Sequence, residues 1–153
     1  MRGAEAIMNS VLIRCQSCGS VNKVLKEKIQ SKPRCGKCKT KITIPNRSID
    51  ISSGDFRREV LSDPGTVLLE FWSPTCGHCL RLNSVLDQIA AEKAGLLKVL
   101  KVNIQNDQHL AYQFGIRGVP TMMLYRGGKK LNEISGALPK QQLEAWIHST
   151  VAL

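Results

Sequence analysis

The stretch Val67-Leu68-Leu69-Glu70-Phe71-Trp72-Ser73-Pro74-Thr75-Cys76-Gly77-His78-Cys79 joins an almost unbroken apolar run to a Cys-x-x-Cys pair. Such a run, interrupted by a single carboxylate, is the pattern of a central strand covered on both faces. Beyond Cys76 the period changes. Leu82, Val85, Leu86, Ile89 and Ala90 recur at i, i+3, i+4, i+7 and i+8, one buried stripe of a helix. The pair therefore falls at a strand-to-helix junction. There the first cysteine meets free amides and the positive end of the helix dipole, which favour a thiolate. The second, three residues on, turns its sulfur back toward the first. One thiol can attack a disulfide and the other can resolve the mixed disulfide.

Working outward, Ser48-Ile49-Asp50-Ile51 reads as a first strand, and Ser53-Gly54-Asp55 caps a short helix containing Phe56, Val60 and Leu61. Asp63-Pro64-Gly65 is a turn. Gly95 ends the long helix, Leu96–Val102 is a strand and Gln108–Phe114 a short helix. Gly115 and Gly118 break the chain before Val119-Pro120. Thr121–Tyr125 and Lys130–Ile134 form a hairpin across Arg126-Gly127-Gly128-Lys129. Leu143, Trp146, Ile147 and Val151 mark a final helix. This order predicts an α/β fold with a mixed sheet whose last strands are antiparallel.

The chain has 153 residues, 42% apolar and 22% charged, the composition of an ordinary globular protein. No stretch approaches the roughly 18 apolar residues of a membrane helix, and the first ten residues lack the apolar core of a secretory signal. A cytoplasmic location is therefore expected, and with it metal-bound or catalytic thiols rather than structural disulfides. The net charge of +10 is uneven. Residues 1–50 carry eleven Lys/Arg against Glu5, Glu27 and Asp50, whereas residues 51–153 carry eleven against nine acids. A basic third can contact nucleic acid, but residues 11–45 hold no aromatic side chain to stack on bases. It can equally balance a metal–thiolate cluster, because four thiolates and one Zn²⁺ leave a charge of −2.

The four remaining cysteines, Cys15/Cys18 and Cys35/Cys38, form two Cys-x2-Cys pairs separated by sixteen residues. That spacing suits a four-thiolate zinc site. Gly19, after the second ligand, and Gly36, inside the second pair, are expected to relieve the backbone as it bends toward the metal, with Pro33 setting up the second turn. With all four positions supplied by protein, the zinc would be structural. The segment shows little strand or helix periodicity and few large apolar residues, so ligation would supply most of its stability, on the order of 10 kcal/mol. Two disulfides or redox-active pairs are the alternative. Cys35-Gly36-Lys37-Cys38 follows Ser31-Lys32-Pro33-Arg34 rather than a buried strand, and so has nothing to position it for exchange.

Phe71-Trp72-x-x-x-Cys76-Gly77-x-Cys79, Lys101-Val102-Asn103, Phe114-Gly115-Ile116-Arg117-Gly118-Val119-Pro120-Thr121 and Gly136-Ala137-Leu138-Pro139-Lys140 together resemble the thioredoxin family over residues 50–153. With its four-cysteine extension the whole chain is similar to the zinc-containing thioredoxins of bacteria. The resemblance implies a thioredoxin fold over residues 47–153, a zinc module over 11–46 and a flexible N-terminus over 1–10. It implies that Cys76 is the nucleophile and Cys79 the buried resolving thiol. Pro120 would be a cis proline facing the pair, and Val119 would offer backbone hydrogen bonds to an extended substrate. Trp72 would pack beside the pair, Gly77 would keep the turn between the cysteines open, and Gly136 would leave room for the partner chain. Glu70 stands where the family usually has a buried Asp. Burial would raise its pKa, so that it accepts the proton of Cys79, and Lys101 would moderate the shift. The bland alternative is that Glu70 reaches out to a sheet edge. The implied partners are disulfide-containing proteins and a flavin-dependent thioredoxin reductase, with no organic cofactor, no membrane, no nucleic acid and a monomeric state.

The chain departs from the family at several positions. Cys76-Gly77-His78-Cys79 resembles protein disulfide isomerase, and His78 can stabilise the Cys76 thiolate and hence the reduced form. Reference potentials of about −270 mV for thioredoxin and about −180 mV for the isomerase frame the question of direction. An oxidase- or isomerase-leaning enzyme, a zinc-module adaptor that delivers the redox domain to a target, and a redox-responsive zinc site whose loss on thiol oxidation switches activity are the rival readings. Ser84 replaces the usual helix-kinking proline, while Thr75 and Leu80 alter the rim around the pair. His109 and His148 have no cysteines or acids around them and read as surface residues.

Overall fold

The computed structural model describes residues 9–153. The first eight residues, most of the expected flexible N-terminus, lie outside it. Seven strands are present among the described residues: β1 Ser10–Arg14, β2 Val21–Leu25, β3 Ile49–Asp50, β4 Thr66–Trp72, β5 Lys98–Asn103, β6 Thr121–Arg126 and β7 Lys129–Ser135. The α-helices are α1 Gly77–Glu92, α2 Gln108–Gln113 and α3 Lys140–Thr150.

The main sheet has the order β3-β5-β4-β6-β7. The β3–β5 and β4–β5 pairs are parallel, and β4–β6 and β6–β7 are antiparallel. The structure thus has the mixed sheet expected. Strand β4 is central and buried along nearly its whole length. Its alternation divides the core. Leu68 packs with Leu82, Leu86, Ile89, Leu143 and Ile147 beneath α1 and α3. Val67, Leu69 and Phe71 face the opposite layer with Leu100, Val102, Leu110 and Tyr125. Because side chains alternate, Glu70 shares the Leu68 face and points at α1.

Three local readings need correction. The capping residue is Ser52, in a reciprocal box with Asp55, and the short helix resolves into a 3-10 turn, Ser53–Asp55, and a π turn, Arg57–Leu61. Helix α1 stops at Glu92, and Gly95, with φ +82°, turns the chain afterwards. Strand β5 begins at Lys98, because Leu96 belongs to the core of the N-terminal module instead.

That module also has more regular structure than its weak periodicity predicts. Strands β1 and β2 pair as an antiparallel hairpin, followed by a 3-10 helix at Lys26–Ser31. The pattern was obscured because Leu12, Val21 and Leu25 occupy its exposed face among lysines. Val24, Ile29, Ile42 and two cysteines make a small core closed by Leu96. The module docks at one end of the main sheet. Arg14 donates to the Ser62 carbonyl at 2.9 Å, and Gly95 is so close to Ile29 that a β-carbon would lie 2.7 Å from its Cγ2. Both contacts lie just before the parallel strands β4 and β5 begin.

Candidate redox and metal sites

At the opposite, C-terminal end of β4, Ser73–Thr75 leads into α1. Cys76 is the helix N-cap, and its Sγ accepts from the Cys79 amide at 3.1 Å. A sulfur at the head of a 16-residue helix sits where negative charge is favoured. In its thiol form Cys76 also donates to the Val119 carbonyl at 3.7 Å. Cys76 is partly exposed, whereas Cys79 is fully buried. Burial, and then the contact with Cys76, pushes the Cys79 thiol up to about 12.

Glu70 has no solvent exposure, so it does not reach out to a sheet edge. Burial raises its carboxyl to about 8, Lys101 pulls the other way, and Asp50 adds to the rise. Its Oε1 has no hydrogen-bond partner among the described residues. Its Oε2 accepts from the side-chain amide of Asn83 at 3.2 Å, in the amide orientation that satisfies both ends of that group. Lys101 is the register partner of Glu70 and lies 3.7 Å from Asp50 and 5.2 Å from the Trp72 ring centroid. Trp72 Nε1 donates to Asp50 at 3.1 Å.

The Val119–Pro120 peptide is cis, and Gly136 N donates to the Pro120 carbonyl at 2.9 Å. Gly136 adopts φ +99° and faces open space. Gly77 has ordinary backbone angles and open space as well, so a side chain there would meet solvent or a docked partner. His78 and Arg81 are exposed, with the guanidinium 2.6 Å from Nδ1. A guanidinium only donates, so Nδ1 is the acceptor in this contact. His109 and His148 are exposed.

The structure brings Cys76, Cys79, Glu70, Lys101, Trp72, Val119 and Pro120 to one end of the sheet. Reading the sequence missed Asp50 and Asn83. Asp50 is visible only through the register of β3 on β5. Asn83 is four residues beyond Cys79 on α1, a helical spacing that could have signalled it.

The four N-terminal sulfurs all lie within 4.8 Å of one another. Cys15–Cys38 are 3.7 Å apart and Cys18–Cys35 3.5 Å. Tetrahedral Zn–S bonds of about 2.3 Å place sulfurs about 3.8 Å apart, so the set fits that ion. The two knuckles are twins. Gly19 N donates to the Cys15 carbonyl and Lys39 N to the Cys35 carbonyl, and both residues have positive φ, +78° and +65°. Lys39, not Gly36, is therefore the counterpart of Gly19. Pro33 does help form the second turn, through its carbonyl to Ile42 N at 2.9 Å. The Cys35 thiol is lowered to about 6 by the Cys38 amide and the Asn22 side chain; Asn22 Nδ2 lies 3.5 Å from its Sγ.

A mixed sheet presenting one accessible and one buried cysteine at a helix start defines a thiol–disulfide oxidoreductase. The thioredoxin family model matches residues 47–149, and that of the thioredoxin 2 N-terminal zinc ribbon matches residues 14–40. The chain belongs to the thioredoxin family and carries a zinc ribbon at its N-terminal end. It is 41% identical to thioredoxin 1 of Nostoc sp. over 93 residues, 61% of this chain and 87% of that one. It is 38% identical to the thioredoxin of Haemophilus influenzae, covering 67% and 96% of the two chains. Among solved structures, a point-mutant thioredoxin from Halobacterium salinarum superposes with a TM-score of 0.65 at 29% identity, over 72% of this chain and 96% of that one.

Proposed function

We propose that this chain is a protein-disulfide reductase. The reading rests on one observation: a partly exposed sulfur at a helix N-terminus beside a fully buried one. The Cys76 thiolate attacks a substrate disulfide, forming a mixed disulfide and releasing one substrate thiolate. The Cys79 thiol then loses its proton to the Glu70 carboxylate and attacks Cys76 Sγ. The new Cys76–Cys79 bond forms as the second substrate thiolate leaves. The substrate gains two electrons and the protein dithiol loses them. Lys101 moderates the basicity of Glu70. Val119 supplies backbone hydrogen bonds to an extended substrate beside Pro120, and Trp72, Gly77 and Gly136 border the docking surface. A thioredoxin reductase returns the pair to the dithiol.

Cys15, Cys18, Cys35 and Cys38 hold one structural Zn²⁺. Thiols that must stay reduced for both jobs favour a reducing compartment such as the cytoplasm. Among the described residues no helix is long and apolar enough to cross a membrane.

The oxidase- or isomerase-leaning alternative draws on His78. In the structure the Nδ1 of that ring is engaged by the Arg81 guanidinium. The test is insulin reduction by wild type, Cys76→Ser and zinc-depleted protein, with the potential measured against glutathione. Activity that requires Cys76 and a potential near −270 mV support the reductase. A potential near −180 mV overturns it in favour of the isomerase-leaning role.

A further inference from the structure

We infer that Asn83 is a positioning residue for the exchange reaction, holding the Glu70 carboxyl against α1 and favouring its ionised form. This rests on the exchange reading of Cys76 and Cys79 given above. Glu70 projects from β4 toward α1, and Asn83 lies four residues beyond Cys79, on the side of α1 that faces the strand. Its side-chain nitrogen donates to Glu70 Oε2 and to the Cys79 carbonyl, each at 3.2 Å. One amide thereby ties the buried carboxyl to the backbone of the resolving cysteine. Asn is a weak helix former, and it is half-buried here, so ordinary helix propensity does not account for the residue.

The surroundings explain why such a donor matters. Glu70 has no exposure and its Oε1 has no hydrogen-bond partner among the described residues. Lys101 faces it from β5, and Asp50 from β3 draws that lysine away at 3.7 Å. Cys79 faces it from α1, while Met122, the register partner of Glu70 on β6, carries no charge. Among the described residues, the Asn83 amide and Lys101 are the groups that stabilise the carboxylate. An N–H donor favours the charged form of a carboxyl. Glu70 must be ionised to take the proton of Cys79, so loss of Asn83 should starve the resolving step of base near neutral pH.

The test is stopped-flow reaction of the reduced full-length protein with 5,5′-dithiobis(2-nitrobenzoate). Attack by Cys76 releases the first thionitrobenzoate, and attack by Cys79 on the mixed disulfide releases the second. In Asn83→Ala the first phase should keep its wild-type rate. The second should slow about three- to ten-fold at pH 7, with its pH midpoint moved up by about half to one unit, and recover above that midpoint. In a Glu70→Asp background the shorter side chain gives up the bond, so Asn83→Ala should add no further shift. Equal slowing of both phases, slowing that is uniform with pH, or the same shift in the Glu70→Asp background would overturn the role. Cys79→Ser serves as the control for the underlying reading. If its second phase survives, exchange through Cys79 fails, and the proposal falls with it.

Discussion

Asp50 accepts a hydrogen bond from Trp72 Nε1 at 3.1 Å through one carboxylate oxygen and faces the Lys101 ammonium at 3.7 Å with the other. One edge-strand acid therefore fixes the indole beside the redox pair and restrains the cation that opposes the charge on Glu70. The proton acceptor is consequently tuned from two sides, by a lysine held partly in check and by its own burial.

Glu70 should make the reduced protein less stable as pH rises. Its folded pKa, about 8, lies above the ordinary 4.5. Between those values the folded state binds more protons than the unfolded state, so stability falls as pH increases through that window. At about 1.4 kcal/mol per pH unit the full cost is roughly 5 kcal/mol. Urea unfolding at pH 5 and pH 9 should show wild type losing several kcal/mol more than Glu70→Gln. Parallel losses would refute the assignment.

The two active-site thiols should differ sharply in reactivity. Cys76 is partly exposed, whereas Cys79 is buried and has its thiol raised to about 12. Iodoacetamide at pH 7.5, followed by peptide mass spectrometry, should modify Cys76 and leave Cys79 untouched in zinc-loaded reduced protein. Cys79→Ser should accumulate a mixed disulfide with substrate, and Cys76→Ser should form none.

Removing the metal should disturb the ribbon more than the chemistry. Cys15→Ser combined with Cys35→Ser should lose the metal, from about one zinc per chain by atomic absorption, and unfold the hairpin. Insulin reduction should stay within about threefold, because the ribbon touches the start of the parallel strands and the pair lies beyond their end. A loss greater than tenfold would mean that the two units are coupled.

Neighbouring glycines of the β6–β7 turn should respond unequally. Gly128 has φ +81°, and a β-carbon there would lie 2.1 Å from the Leu61 carbonyl oxygen. Gly128→Ala should cost about 3 kcal/mol or more. Gly127 has φ +59° and open space, so Gly127→Ala should cost about 1 kcal/mol. Thermal unfolding of the two variants decides the order.

The main sheet and the redox pair were legible because each rests on a strong local signal. Val67–Trp72 is too apolar for anything but a covered strand, and Leu82–Ala90 keeps a helical period. The ribbon hairpin was not, because its exposed apolar residues and its small core defeat alternation. Gly36 drew attention as a glycine, yet the strained position is held by Lys39, which sequence alone does not distinguish from other lysines. Asp50 reaches the site through strand register and not through any neighbour in sequence, whereas the four-residue spacing of Asn83 from Cys79 marks a shared helix face without showing the carboxyl opposite it.

The length of β4 separates two incompatible fates of sulfur. Seven residues at about 3.3 Å each put roughly 20 Å between the ribbon contacts and the redox pair, whereas a disulfide needs α-carbons within about 7 Å. While the ribbon stays folded, its cysteines therefore have no route to Cys76 of the same chain. Capture of a ribbon thiol by the redox pair of its own chain must wait for metal loss and unfolding of the hairpin, so such crossed disulfides should arise in zinc-stripped protein and not in the zinc-loaded form.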